Sequence, residues 1–312
     1  MPPSPPAPAG FLRVIAPGLA TRVVDLGRPR SRSLGVPLGG AADRTAFLIG
    51  NALVGNGPDA AALEVTLSGP TLKATCDLAC VVFGAPFDLD SDRQPLHPGK
   101  TFTLHAGEVL RVGGTLEGAR AYLCIGGGLQ IKPILNSHST LEPLAAGAEL
   151  PCLSGTIRPR FLVHRFHNPD EAGLLRVLDG AQAGWFNCEE FFLQEFTVSP
   201  AADRMGLRLR GVPLTMPQRE LVSEPVCPGT VQVTRDGQCI VLGVDGQTIG
   251  GYPKIAQVIA ADLDKLGQLR PDEPIRFRRV ELSEAVALYR RRHAELKAWL
   301  ARLMAAEVER SG

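Results

Sequence analysis

The stretch 223–252 reads SEPVCPGTVQVTRDGQCIVLGVDGQTIGGY and contains the clearest structural signal in the chain. Two apolar runs, 230–234 and 239–244, flank the turn residues 235–238, which read RDGQ. An Asp-Gly pair between β-branched runs predicts a β-hairpin, because glycine enters the positive-φ region of a tight turn without steric cost.

A polar, glycine-rich loop follows the second run and reads DGQTIGGY at 245–252. Glycines let a backbone approach a ligand closely, and the Asp, Gln, Thr and Tyr side chains supply hydrogen-bonding groups. From the pattern alone, this segment is either a ligand-binding loop or a turn-rich surface loop, and both interpretations stay open.

Composition narrows the class of protein. Apolar residues make up 45% of the chain and aromatic residues only 5%, so aliphatic side chains must fill the core. The formal net charge is +1, with acidic and basic residues interspersed, and this balance argues against a nucleic-acid partner. No run approaches the ~20 apolar residues of a membrane helix, so no membrane partner is predicted.

The proline-rich residues 1–10 predict a disordered tail and lack the features of a signal peptide.

The seven cysteines are scattered, and some lie inside apolar runs. This usage predicts buried, reduced thiols in a cytoplasmic protein. Cys76 and Cys80 lack CxxC spacing, and the six histidines form no HxxxH motif. No structural metal site is therefore predicted.

Short apolar runs separated by Gly and Pro turns predict a mainly β fold rather than a parallel α/β sheet. Predicted strands include 78–83, 102–104, 109–112, 120–125, 174–179, 196–199 and 275–280. Helices are predicted at 44–54, 186–194 and 283–308, with Asp43 and Ser283 as candidate N-caps. In the last helix, an apolar stripe is formed by Val286, Tyr289, Leu296, Leu300 and Leu303. We expect this stripe to be buried against the core of the chain, with docking on a partner protein as the alternative.

The length of 312 residues suggests two domains. We expect an N-terminal domain at 11–150, a linker at 151–170, a C-terminal domain at 171–282 and a C-terminal helix at 283–312.

Several motifs occur in a fixed order: PGLATRVVDLGR at 17–28, GVPLGGAAD at 35–43, NALVGN at 51–56, AALEVTLSGP at 61–70, DRMGLRL at 203–209 and DGQTIGGYP at 245–253. Together they resemble the second member of the allophanate hydrolase subunit pair, a biotin-dependent carboxyltransferase-like family. That family includes the Kip antagonist, the C-subunit of the bacterial ATP-dependent 5-oxoprolinase, and the C-terminal half of the urea carboxylase carboxyltransferase domain.

Two departures from the family pattern stand out. Gly246 replaces an Arg or His, and Asn136 replaces a glycine before the Ser-x-Ser-Thr motif 137–140. The loop that follows, 141–151, lacks the family's glycine pair and arginine. The hydroxyls of the motif could either donate to an anion or close an ST-turn. These departures indicate a different substrate or weakened activity.

The resemblance implies two linked cyclophilin-like β-barrel domains with a few short helices and a C-terminal helix. It implies the C-subunit of an ATP-dependent 5-oxoprolinase, which hydrolyses 5-oxo-L-proline to L-glutamate using ATP with magnesium. The implied partner is the 5-oxoprolinase B-subunit or a Kip-inhibitor-like protein, with the A-subunit as a further candidate.

One alternative function is a carboxyltransferase for urea or a similar amide. Its carboxybiotin would come from a carrier elsewhere, since no biotin segment is recognised in this chain. Another is a non-catalytic regulator that binds a Kip-inhibitor-like protein.

The same resemblance selects the candidate site residues. Candidate catalytic residues are Arg204, Asp43 and Glu64; candidate substrate- or ATP-binding residues are Arg28, Asn51, Asp203, Glu224, Gln232, Asp245, Gln247, Thr248 and Tyr252. Guanidinium groups fit carboxylate or phosphoryl oxygens, and the carboxylates would orient substrate or hold magnesium. From residue type alone, Asp43 and Glu64 are more often caps or exposed charges. Arg28 could be solvent-exposed, and Arg204 could form a turn ion pair with Asp203.

Overall fold

The computed structural model describes residues 8–162, 171 and 173–308, and its fold is mainly β as predicted. The chain forms two compact units. Of the described residues, the first unit takes 8–27, 44–162 and 297–308, and the second takes 28–43, 171 and 173–296. The segment 28–43, which the sequence placed within the N-terminal domain, therefore groups with the second unit. Part of the predicted linker 151–170, residues 163–170, lies outside the described residues.

Among the described residues, the first unit contains one whole α-helix, the C-terminal end of the last helix and two β-sheets. Its elements are β1 (Gly10–Ala16), β2 (Ala20–Val24), α1 (Arg44–Leu53), β3 (Ala62–Thr66), β4 (Thr71–Ala74), β5 (Leu78–Gly84), β6 (Leu89–Ser91), β7 (Phe102–Leu104), β8 (Val109–Val112), β9 (Arg120–Ile125) and β10 (Glu149–Cys152). One five-stranded sheet has the order β10-β1-β4-β8-β6, and the other has the order β2-β3-β9-β5-β7. A single apolar core draws side chains from both sheets, including Leu12, Leu72, Val82 and Leu123.

Continuous apolar runs explain the centre of the second sheet. All of β9 is buried, as is all of β5 except Gly84. A strand is buried on both faces only when something covers each face. Here α1 covers one face, where Phe47 meets Tyr122 edge-to-face with ring centroids 5.7 Å apart. The core covers the other face.

The second unit is built around a closed barrel. Its strands are β11 (Leu174–Asp179), β12 (Phe196–Val198), β13 (Gly206–Arg210), β14 (Glu224–Pro225), β15 (Thr230–Val233), β16 (Cys239–Leu242), β17 (Ile249–Gly250), β18 (Lys254–Val258) and β19 (Pro274–Arg279). The barrel order is β11-β18-β15-β16-β13-β12-β19, and the parallel pairing of β11 with β19 closes it. A separate two-stranded ribbon joins β14 to β17.

The hairpin predicted from the Asp-Gly pair is confirmed. Strands β15 and β16 are antiparallel, with Val233 opposite Cys239. The amide of Thr234 donates to the carbonyl oxygen of Gln238 at 2.8 Å, and Gly237 has φ 79°. The positive φ is the reason the turn needs glycine at this position.

The described residues contain three further α-helices, namely α2 (Cys188–Phe192), α3 (Leu263–Leu266) and α4 (Leu282–Val308). The predicted cap at Ser283 is wrong, because α4 already begins at Leu282. The predicted buried stripe is also wrong at its start. Val286 and Tyr289 are 39% and 48% exposed, whereas Ala285 is buried and Leu288 half-buried. Apolar residues occur at neighbouring positions, so either face of the helix could have been the buried one. In the structure the buried face is the one that carries Ala285.

All seven cysteines are free, and four of them are buried. Burial raises the pKa of Cys152 and of Cys239 to about 12, so these thiols stay protonated at neutral pH. Cys227 is exposed, which corrects the expectation that the thiols are buried. Within the described ranges, no helix is long and apolar enough to cross a membrane.

Candidate functional site in the second unit

An arginine–aspartate cluster, formed by Arg28, Arg204 and Asp245 around Gly39, joins three loops of the second unit. The Arg204 Nε donates to Asp245 Oδ2 at 2.7 Å, and its Nη2 donates to Asp245 Oδ1 at 3.0 Å. The same Nη2 donates to the carbonyl oxygen of Gly40 at 2.7 Å. Arg204 therefore positions the 28–43 segment against the loop after β16, through a bidentate, charge-assisted pair.

Arg28 lies beside this pair. It is buried, and its backbone amide donates to the carbonyl oxygen of Leu38 at 2.6 Å. A Cβ added at Gly39 would lie 3.3 Å from Arg28 Nη1 and 3.9 Å from Asp245 Oδ1. Two guanidinium groups thus converge on one short stretch of backbone, and guanidinium groups placed in this way suit an anionic ligand.

Asp203 does not pair with Arg204, which decides between the two sequence-based interpretations of that dipeptide. The Asp203 carboxylate accepts from the backbone amides of Met205 at 2.8 Å and Gly206 at 3.1 Å. It closes the turn that leads into β13. The Arg204 guanidinium pairs instead with Asp245, 41 residues further along the chain.

Asp43 is buried and accepts a hydrogen bond from Gln268 Nε2 at 2.8 Å. Next to Gln268, Gly267 approaches the backbone of Ala42 so closely that a Cβ would lie 2.7 Å from its carbonyl carbon. The sequence offered no motif that singles out Gln268. Its role depends on how the 260–268 segment packs against residues 42–43.

A glutamine–lysine cluster, comprising Gln182, Glu224, Gln232, Gln247 and Lys254, forms a second polar group. Lys254 Nζ donates to Glu224 Oε2 at 2.7 Å, and Gln182 Nε2 donates to the same oxygen at 3.2 Å. The hydrogen bond from Lys254, followed by the one from Gln182, lowers the pKa of Glu224. Glu224 is therefore ionised at neutral pH. The sequence predicted Glu224, Gln232 and Gln247 but missed Lys254 and Gln182.

The other predicted residues of the glycine-rich loop have varied surroundings. Thr248 is buried, and its carbonyl oxygen accepts from the amide of Val226 at 3.0 Å. Gln247 and Tyr252 are exposed. Gly246 is buried, and a Cβ there would lie 2.9 Å from the carbonyl oxygen of Met205. This backbone therefore has no room for the Arg or His that the family pattern places at 246.

Glu64 and Asn51 belong to the first unit, where both have partners. Glu64 is buried, accepts from the Tyr122 hydroxyl at 2.9 Å and lies 3.4 Å from Arg120 Nε. Asn51 Nδ2 donates to the carbonyl oxygen of Ala60 at 3.1 Å, and its Oδ1 accepts from Asn56. These contacts hold β3 to β9 and fix the turn after α1. A role for either side chain in chemistry stays a prediction.

The Ser-x-Ser-Thr motif has a protein partner, Asp25 in the first unit. Asp25 Oδ1 accepts from the hydroxyls of Ser137 at 2.7 Å and Ser139 at 2.6 Å, and Oδ2 accepts from the amide of His138 at 2.6 Å. Burial by itself would raise the pKa of Asp25, but the hydrogen bonds from Ser139 and Ser137 outweigh it and lower the pKa. Both serines therefore close a buried structural contact.

Replacing Asp25 with asparagine is expected to lower the free energy of unfolding by about 1.5–3 kcal/mol at pH 7, as for hydrogen bonds to a charged group. Because the folded-state pKa lies below the ordinary 3.8, this stabilisation is present above that value and is lost as the pH falls through the folded pKa. Urea unfolding at several pH values measures it. The control is Asp90→Asn, because the Asp90 side chain is 71% exposed in the wild type. This variant should change the free energy of unfolding little. A difference between wild type and Asp25→Asn that stays constant throughout acidification would contradict the prediction.

Within the described part of the chain, no group of three or more His, Cys, Asp or Glu side chains is placed to hold a metal ion. The two clusters offer guanidinium, ammonium and amide donors instead. Chemically, such groups can bind carbonyl, carboxylate or phosphoryl oxygens and stabilise negative charge that develops on them.

Comparison with known proteins agrees with this fold. The family model of the carboxyltransferase domain, subdomain A and B, matches residues 34–279. The chain is 35% identical to the 5-oxoprolinase C-subunit of Haemophilus influenzae, over 86% of this chain and 91% of that protein. It is 34% identical to the 5-oxoprolinase C-subunit of Escherichia coli, over 93% of this chain and 98% of that protein.

A solved structure of K. lactis urea amidolyase is also similar. Its TM-score is 0.83 at 25% sequence identity, and the match covers 95% of this chain and 20% of that chain. The similarity to urea amidolyase thus concerns a small part of a much longer protein.

Proposed function

Because the chain belongs to the family of the carboxyltransferase domain, subdomains A and B, we propose that it is the C-subunit of an ATP-dependent 5-oxoprolinase. In this role it would work with partner subunits to hydrolyse 5-oxo-L-proline to L-glutamate. The observation that carries the proposal is the match to two 5-oxoprolinase C-subunits over 91% and 98% of their lengths.

The chemistry of the reaction requires activation of a lactam. Resonance makes an amide carbonyl a poor electrophile, and a five-membered lactam resists attack by water. ATP would supply activation by phosphorylating the lactam oxygen, with ADP as the leaving group. Attack of one water on the ring carbon would then open the C–N bond and give γ-glutamyl phosphate. A second water would hydrolyse this acyl phosphate to glutamate and phosphate. Negative charge grows on phosphoryl oxygens during such a transfer, so positioned cations and N–H donors are needed.

Several side chains of the second unit suit these tasks. In the arginine–aspartate cluster, Arg28 would face an anionic oxygen, and Arg204 would hold the loops that carry Arg28 and Asp245. Gln247 and Thr248 would contact the nucleotide or substrate. Asp43 and Asp245 would orient the substrate, and magnesium would arrive with ATP.

Partner proteins follow from the name of the relatives, since a C-subunit implies other subunits in the same complex. We propose that the partner is the 5-oxoprolinase B-subunit or a Kip-inhibitor-like protein, with the A-subunit as a further member of the complex. We further propose that the complex works in the cytoplasm, where the seven free thiols would stay reduced.

A second candidate function is carboxyl transfer to urea or a similar amide. The observation in its favour is the TM-score of 0.83 to urea amidolyase over 95% of this chain. In that case biotin would be carried by another protein. Both candidate reactions act on an amide, so the two proposals share the need for a site that recognises one.

The proposed function is tested by co-purifying the chain with the subunits encoded beside it and assaying glutamate release from 5-oxoproline. We expect glutamate to form only when ATP and all subunits are present. Omitting this chain is the matched control and should abolish turnover. A stable complex that releases no glutamate would exclude the 5-oxoprolinase proposal. Urea and carboxybiotin would then be tried as substrates, and failure with these would favour the non-catalytic regulator.

A further inference from the structure

Gln232 is a buried donor without an acceptor. Its side chain is 1% exposed, and Nε2 has no hydrogen-bond partner among the residues that the structure describes. Gln232 lies in β15, opposite Ile240 of β16 and Lys254 of β18. Its neighbours Val231 and Val233 belong to the barrel core, so alternation along the strand directs Gln232 to the outer side of the barrel wall. Buried N–H groups nearly always have partners, and an exception calls for an explanation.

Gly250 shows where the Gln232 amide points. A Cβ added at Gly250 would lie 2.4 Å from Gln232 Nε2 and 2.8 Å from Gln247 Nε2. Two amide nitrogens therefore converge on one point of the backbone. Gly250 is also paired with Glu224 across the β14–β17 ribbon, which brings the carboxylate of the glutamine–lysine cluster to the same place.

Two side chains of the cluster, Lys254 and Gln182, donate to the Glu224 carboxylate. Lys254 Nζ carries three donors, and one of them reaches Glu224 at 2.7 Å. Gln182 also donates to Glu224, whose side chain is 40% exposed and retains lone pairs that face solvent. A ligand that supplies a carbonyl oxygen would satisfy Gln232, and Glu224 could accept an N–H from the same ligand. An amide presents these two groups side by side.

The cover over Gln232 is thin. Strands β14 and β17 each contain two residues, and short ribbons of this kind are marginally stable in water. On the outer side of this ribbon Ile249 is 58% exposed. A small displacement of the ribbon would therefore bring a ligand to Gln232 without unfolding the barrel.

We propose that Gln232, Glu224 and Lys254 form a recognition site for the amide group of the substrate. Gln232 Nε2 donates to the amide carbonyl oxygen, Glu224 accepts from the amide N–H, and Lys254 holds Glu224 in its ionised form. The identity of that amide as the lactam of 5-oxoproline rests on the proposed function. Recognition of an amide by these three residues does not depend on ATP or on turnover.

Equilibrium binding to the full chain tests this proposal. The probes are 5-oxoproline and 2-pyrrolidone, and proline, which lacks the ring carbonyl, is the control ligand. Gln232→Leu is expected to weaken binding of both lactams on the order of tenfold, as for loss of a buried hydrogen bond. Gly250→Ala is expected to weaken it as well, because the new Cβ would displace the Gln232 amide. Gln238→Leu, in the turn of the same hairpin, is the matched control and should bind like wild type. Thermal unfolding of each variant verifies that it is folded.

Equal affinity of wild type and Gln232→Leu for the lactams would overturn the proposal, as would absence of lactam binding by the wild-type chain. Two results separate it from the proposed function. If the complex hydrolyses 5-oxoproline but Gln232→Leu leaves KM and kcat unchanged, this inference is wrong and the proposed function stands. If the complex is inactive but 2-pyrrolidone binds in a Gln232-dependent manner, the proposed function fails and the inference stands.

Discussion

Replacing Arg204 with alanine is expected to lower kcat/KM of the assembled enzyme on the order of 100-fold, because small displacements of groups that position the reactants have effects of this size. Arg204 holds the Asp245 carboxylate at 2.7 Å and the Gly40 carbonyl oxygen at 2.7 Å. Without the guanidinium, the loops at 39–40 and 243–246 lose the bonds that Arg204 makes to both of them. They keep the backbone bond from the Gly39 amide to the Val244 carbonyl oxygen. Arg204→Lys should rescue little, since an ammonium cannot donate to the carboxylate bidentately.

The control for this prediction is Arg210→Ala, at the other end of β13. Arg210 pairs with Asp272, and their side chains are 55% and 67% exposed, so its loss should leave kcat/KM unchanged. A double-mutant cycle of Arg204 with Asp245 then shows whether the two act as one unit, in which case the double variant is no worse than either single variant. Unchanged kcat/KM in Arg204→Ala would remove this residue from the candidate site.

Replacing Asp262 with alanine is expected to lower the free energy of unfolding by about 3–5 kcal/mol, as for removal of one partner of a buried ion pair. Asp262 is fully buried, and its Oδ2 accepts from the backbone amide of Arg176 at 2.9 Å and from its Nε at 2.8 Å. Lys265 Nζ lies 3.5 Å from Oδ1. The substitution would remove the carboxylate that lies between these two buried cations.

Urea unfolding followed by circular dichroism measures this effect. Asp264→Ala is the matched control from the same turn. Asp264 Oδ2 lies 3.5 Å from Arg292 Nη2, and both of these side chains keep some exposure to solvent, unlike Asp262. We expect Asp264→Ala to cost less than about 1 kcal/mol. A loss of similar size in both variants would show that the Asp262 network contributes no more than an ordinary partly exposed pair.

Much of the fold could be predicted because its signals are local. The Asp236-Gly237 pair between two β-branched runs indicated the β15–β16 hairpin, and Gly237 does adopt φ 79°. Strand β11 matches its predicted range 174–179, because turn residues bound an apolar run on both sides. Backbone preference and side-chain periodicity act over a few residues, so one sequence is enough to detect them.

Local signals were misleading where two alternative arrangements fitted the same short stretch of sequence equally well. In α4, the stripes through Val286 and through Ala285 are both apolar enough to be buried, and packing selected the one through Ala285. At the 137–140 motif, an anion and a turn were equally plausible partners for the hydroxyls. The structure supplies Asp25, which lies 112 residues before Ser137.

By itself, the sequence determined the mainly β class, the positions of most strands and the presence of polar groups in the glycine-rich loop. Only the tertiary structure decided how those polar groups are paired. Arg204 pairs with Asp245 rather than Asp203, Asp43 pairs with Gln268, and Lys254 joins Glu224. A strand or turn depends on the few residues that form it. The partner of a charged side chain depends instead on strand register and on which loops the closed barrel brings together, and neither of these is written in any short stretch of the chain.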